Sequence, residues 1–108
     1  FTALEKITKY KGYDSMSPVV RNFWKIVHID LDDEQKRNLL LFSTGTSRAP
    51  VGGLAKIPFV ISRDPNPAHI PTSHTCFYNL VLPDDPDEQS LHRKLLIAIE
   101  NSEGFALK

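Results

Sequence analysis

The chain contains one cysteine, Cys76, set among residues that could make it reactive. Residues 70–83 read IPTSHTCFYNLVLP, with His74, Thr75 and Phe77 around the thiol and a proline near each end. The thiolate is the reactive form of cysteine, and a neighbouring cation favours it, so an adjacent imidazole suits nucleophilic chemistry. If residues 74–82 run extended, side chains two apart share a face. His74 and Cys76 then point one way and Thr75 the other. The bland reading is an inert small hydrophobe, because free cysteine is among the most buried residue types. Spacing alone favours the bland reading.

The elements that must position this stretch follow from local signals. Thr2-x-x-Glu5 reads as a capping box opening a short helix with Leu4 and Ile7 inward. Tyr10, Gly12 and Tyr13 make a brief extended piece or turn. Ser17 caps a second helix with Pro18 at its first position. Val20, Phe23, Trp24 and Val27 fall at i, i+3, i+4 and i+7 and form one apolar stripe, which makes Trp24 a core residue. Asp32-x-x-Gln35 repeats the capping logic for a third helix through about Phe42, carrying Leu39, Leu40 and Leu41. Gly45, Pro50, Gly52 and Gly53 make residues 44–53 a loop.

Phe59, Val60 and Ile61 form a β-prone run closed by the turn Asp64-Pro65-Asn66-Pro67. A second strand spans residues 78–82, where Leu80 and Leu82 alternate with other residues. A last helix starts near Asp85-Pro86, with Asp85 and Glu88 as a box-like cap and Leu91, Leu95, Ala98 and Ile99 inward. Gly104 ends it, ahead of a tail containing Phe105. Asp84, Asp85, Asp87 and Glu88 read as capping and helix-dipole chemistry rather than a proton relay. Three helical stripes suffice to cover one sheet face, so the expected class is α+β, a two-layer domain of helices packed on a small sheet.

At 108 residues the chain is one domain, residues 1–108. Thirteen basic residues balance thirteen acidic ones, which leaves no field to attract nucleic acid or an anionic membrane. No apolar run approaches the roughly 20 residues of a membrane span. No secretory or lipidation pattern stands out. A single cysteine can form neither an internal disulfide nor a cysteine-based zinc site. A reducing compartment, cytoplasm or nucleus, is expected, and the chain is expected to be a monomer.

The cysteine segment resembles the active-site pattern of the HECT ubiquitin ligases, Leu-Pro-x-x-x-Thr-Cys-Phe-Asn-x-Leu-x-Leu-Pro. Thr75, Cys76, Phe77, Leu80, Leu82 and Pro83 match it directly, and Ile70 stands for the leucine. The likeness extends to Phe1-Thr-Ala-Leu-Glu5, Phe23-Trp24 with Val27-His28, Asp33-Glu34-Gln35-Lys36-Arg37, Gly45-Thr-Ser-Arg-Ala-Pro-Val-Gly-Gly-Leu54 and Gly104-Phe105. The whole chain is similar to the C-terminal lobe of that family, of the E6-associated-protein type. The larger N-terminal lobe and the hinge are expected to lie outside it.

The resemblance implies a two-step transfer. Cys76 takes ubiquitin as a thioester from a ubiquitin-conjugating enzyme, and a lysine of a protein substrate then takes it from Cys76. Beside this, the Thr75 hydroxyl or nearby backbone N–H groups are candidates to stabilise the oxyanion. His74 is a candidate either to favour the thiolate or relay a proton, or equally to orient the loop by hydrogen bonds. Phe105 is implied in the ligation step, through a tail that docks on the other lobe. No metal or organic cofactor is implied. Two other readings are a module that docks ubiquitin without thioester chemistry and a cysteine hydrolase. The hydrolase needs an imidazole ordered by a third group, which His28, His69 and His92 do not announce.

The match has three departures. Tyr78 stands where the family pattern has asparagine, with Asn79 one position later. Asp85 replaces a tyrosine, and Lys108 ends the chain where some members carry an acid.

Overall fold

A computed structural model describes residues 2–45, 53 and 56–100. The expected loop from Gly45 onward lies mostly outside the described residues, and the expected helix end at Gly104 and the tail with Phe105 lie wholly outside them.

Helix α1 (Thr2–Ile7) buries Leu4. Thr2 is its first turn rather than its cap, and Glu5 is turned to His28, with Oε1 and Nε2 2.7 Å apart. The short strand β1 (Lys9–Lys11) follows. In α2 (Pro18–Lys25), Pro18 occupies the first turn, where its missing N–H costs nothing. Ser17 sits at the cap position without capping. Its hydroxyl instead accepts from the Asp14 N–H at 3.0 Å, closing the preceding turn.

The helix then widens into a π-type turn (Ile26–Asp30), in which the Leu31 N–H donates to the Ile26 carbonyl at 3.0 Å. One extra residue per turn changes which side chains face inward. The buried stripe is broader than the four expected positions, with Val19 and Ile26 joining Val20, Phe23, Trp24 and Val27. Trp24 is core as expected, its indole N–H donating to the Tyr10 hydroxyl at 3.1 Å.

Helix α3 (Asp33–Thr44) opens with the expected capping box. The Gln35 N–H donates to Asp32 Oδ1 at 2.8 Å, and the Asp32 N–H donates back to Gln35 Oε1 at 2.9 Å. It ends at Gly45, whose φ of 82° is the left-handed conformation that stops a helix. Strand β2 (Val60–Asp64) is followed by the expected turn, in which Asp64 Oδ1 accepts the Asn66 N–H and Asn66 Oδ1 accepts the Ala68 N–H. Strands β3 (Thr72–His74) and β4 (Asn79–Pro83) and helix α4 (Glu88–Glu100) complete the fold.

The strands form one sheet in the order β1-β2-β4-β3. The β1–β2 and β2–β4 pairs are parallel, and β3 runs antiparallel to β4. Ile61 and Leu80 are register partners and fully buried, and Leu82 joins them on the same face. Phe23 and Val20 of α2, Leu39 and Leu40 of α3, and Leu91, Leu95 and Ile99 of α4 belong to the same buried cluster. The opposite face, with Val60, Ser62, Asn79 and Val81, is only half-buried. This is the expected two-layer α+β domain.

The acidic cluster is spent on this framework. Asp84 pairs with Arg63 at 2.8 Å, Asp85 with Lys94 at 2.8 Å and Glu88 with Lys25 at 3.1 Å. The helix start falls two residues later than expected. The Asp87 carboxylate receives the Gln89 N–H at 3.1 Å, while Asp85 receives the Asp87 N–H at 3.0 Å. Hydrogen bonds from Lys94 and then Ser90 hold the Asp85 carboxyl down at about 2.

Candidate active site

Extended backbone through residues 74–82 is not what forms. β3 stops at His74, and Thr75–Phe77 wind into a single 3₁₀ turn before β4 begins at Asn79. Register pairs His74 with Asn79, so this turn and Tyr78 close an antiparallel connection and carry the thiol at its tip. Tyr78 is left-handed, with φ 51° and ψ 39°. The alternation of Leu80 and Leu82 ends where β4 ends, and the turn removes the shared face expected for His74 and Cys76.

Cys76 is a free, exposed thiol, which overturns the inert-core reading. Phe77 beside it is 75% exposed. Phe77 and His74 line an open depression together with Lys11, Val60 and Asn79. Asn79 is held there by Ser62, whose hydroxyl donates to Asn79 Oδ1 at 2.8 Å. An amide fixed through its oxygen keeps its two N–H donors for something else. Thr75 lies on the other side, where a Cβ at Gly45 would stand 3.6 Å from its own Cβ. The C-terminus of α3 thus backs the turn from behind.

The structure brings His74, Thr75, Cys76 and Phe77 into one short segment. Among the described residues, no side-chain hydrogen bond joins His74 or Thr75 to the thiol. His28 and His69 are engaged by Glu5 and Asp64, each at 2.7 Å. Phe105 lies outside the described residues. Sequence reading passed over Ser62 and the support from Gly45. A glycine directly after the apolar run of α3 was the available signal for the second, and the first had none.

The geometry is that of an exposed thiol on a tight turn between two strands, backed by helices on one face of a small mixed sheet. The chain belongs to the HECT-domain (ubiquitin-transferase) family, whose sequence model matches residues 1–108. It is 44% identical over 108 residues to "Probable E3 ubiquitin-protein ligase hulA" of Aspergillus terreus, covering 94% of this chain and 13% of that protein. It is 41% identical over 107 residues to "Probable E3 ubiquitin-protein ligase HECTD2" of Mus musculus, covering 98% of this chain and 14% of that protein. To "E3 ubiquitin-protein ligase RSP5" of Emericella nidulans it is 44% identical over 108 residues, covering 94% of this chain and 13% of that protein. The chain thus spans about a seventh or less of the length of these relatives.

Proposed function

We propose that this chain is the lobe of a ubiquitin ligase that carries ubiquitin as a thioester on Cys76. The observation that supports this most directly is the free, exposed thiol at the tip of the 3₁₀ turn, within the segment that matches the family pattern. In the first step the Cys76 thiolate attacks the carbonyl carbon of ubiquitin's C-terminal glycine, bound to a conjugating enzyme's cysteine. A C–S bond forms, the old one breaks, and the conjugating enzyme's sulfur leaves as thiolate. One thioester replaces another, so the step needs no oxidant, metal or cofactor.

In the second step the neutral amine of a substrate lysine attacks the same carbon. The C–N bond forms, Cys76 leaves as thiolate, and the amine's extra proton goes to a base or to water. Sulfur suits both roles, being a good nucleophile and a good leaving group. Thr75 contributes its hydroxyl to the oxyanion and His74 carries the proton in this reading. Phe105 orders the tail for the second step.

Ubiquitin, a conjugating enzyme and protein substrates are the partners. The conjugating enzyme docks outside these residues, and this lobe alone accepts ubiquitin slowly because docking supplies proximity. A reducing compartment, cytoplasm or nucleus, goes with a thiol that must stay free.

The test is a non-reducing gel of the ligase carrying this chain, mixed with activating enzyme, conjugating enzyme and ubiquitin. Wild type is compared with Cys76→Ala, with and without reductant. A reductant-sensitive ubiquitin adduct that requires Cys76 is expected. Ubiquitin binding with no such adduct would replace this proposal by the noncovalent docking module.

A further inference from the structure

We propose that Tyr78 is a positioning residue for Cys76, acting through its left-handed backbone rather than through its ring. The inference rests on the thioester reading for its functional consequence. Among the described residues, Tyr78 is the one non-glycine residue with positive φ. Bulky side chains rarely adopt that conformation, and strained backbone of this kind persists only where its surroundings over-determine it.

At Tyr78 both backbone groups are committed. Its N–H donates to the Thr75 carbonyl at 3.2 Å and closes the turn that holds Cys76. Its carbonyl accepts the Val60 N–H at 3.0 Å and joins that turn to the sheet. A left-handed residue at this point lets the chain close the turn and enter β4 within one residue. A right-handed or extended Tyr78 loses one of the two bonds. The Cys76 turn then detaches either from its own closure or from the sheet. The ring packs against the core cluster and helps to hold the conformation.

Side chains that tolerate the left-handed region should therefore preserve the thiol's presentation even when the ring is lost. Four variants separate backbone from ring: Tyr78→Phe, Tyr78→Asn, Tyr78→Gly and Tyr78→Val. The Asn, Gly and Val variants all lose the ring, but only valine strongly disfavours positive φ. Two rates are measured under conditions where every variant is folded by Trp24 fluorescence. One is alkylation of Cys76 by iodoacetamide, which a general loss of stability leaves unchanged. The other is charging of Cys76 with ubiquitin in the ligase.

Wild type, Phe, Asn and Gly variants are expected to share one alkylation rate, with Val differing by about threefold or more. Charging of the Val variant is expected to fall about threefold or more, because a β-branched side chain adds to the left-handed penalty that tyrosine already carries. Equal impairment of the Asn, Gly and Val variants would show that the ring positions the thiol and would overturn the inference. So would a Val variant that matches wild type in both rates. If the alkylation ranking holds while no variant, wild type included, is charged, the positioning stands and the thioester reading fails.

Discussion

Neutralising Asp85 should remove a defined amount of stability that depends on pH. The Asp85 and Lys94 side chains are only 10% and 16% exposed, so their 2.8 Å contact is little screened by solvent. Lys94 also donates to the Pro67 carbonyl, so the pair ties α4 to the turn that leads into β3. The Asp85 carboxyl is lowered from 3.8 to about 2, chiefly by Lys94. At about 1.4 kcal/mol per pH unit, this corresponds to about 2 kcal/mol of folding stability.

The sign follows from which state holds the proton more tightly. The unfolded chain protonates first, so the contribution is complete above about pH 4 and disappears as pH falls towards 2. Asp85→Asn keeps the shape and the acceptor for the Asp87 N–H but removes the charge. At pH 7 it should lower stability by about 2 kcal/mol, or roughly 10 °C in midpoint for a domain of this size. The deficit should shrink steadily between pH 4 and pH 2. Urea unfolding of both proteins across this range, followed by Trp24 fluorescence, measures it.

Adding Lys94→Met should cost less than the sum of the single changes, because Asp85→Asn alone leaves a buried ammonium without its carboxylate. A deficit that stays constant down to pH 2 would refute the electrostatic reasoning. So would Asp85→Asn matching wild type at pH 7.

Two further substitutions test the supports of the fold and the site. Ser43 is 1% exposed, and its hydroxyl has no hydrogen-bond partner among the described residues. Ser43→Ala should therefore raise stability by about 1 kcal/mol, from relief of the unpaired hydroxyl and better helix propensity. A clear loss in urea unfolding would show that the hydroxyl is bonded. Gly45→Ala meets only ordinary contact at Thr75, 3.6 Å away, so its cost is the left-handed backbone alone, about 1 kcal/mol. Gly45→Asn should recover part of that loss. Alanine as stable as glycine in the same assay would show that the α3 terminus relaxes freely.

Some of this molecule is written in local sequence. Asp32 and Gln35 are three residues apart, and the two reciprocal bonds they make need nothing beyond the helix they start. Val20, Phe23, Trp24 and Val27 share a helix face whatever lies opposite, so their burial was legible from spacing. The pattern Thr75-Cys76-Phe77 with Leu80, Leu82 and Pro83 likewise marked the family, and Cys76 as the candidate, without coordinates. The π-type turn after Lys25 was not legible, because its extra residue is accommodated by packing rather than by a motif.

Tertiary structure decided how the thiol is held. The strand was legible only over residues 78–82, and whether extended backbone reached back across Cys76 was not, because nothing in Phe77-Tyr78 announces a left-handed residue. The strand breaks at the left-handed Tyr78, whose N–H donates to the Thr75 carbonyl. Its carbonyl accepts the N–H of Val60, 18 residues earlier in the chain, as the first bond of the β2–β4 pairing. Residue types and spacing were enough to single out Cys76 as the candidate and to name most of the core. Where the thiol points depends on two hydrogen bonds, one of which exists only after β2 has come to lie beside β4.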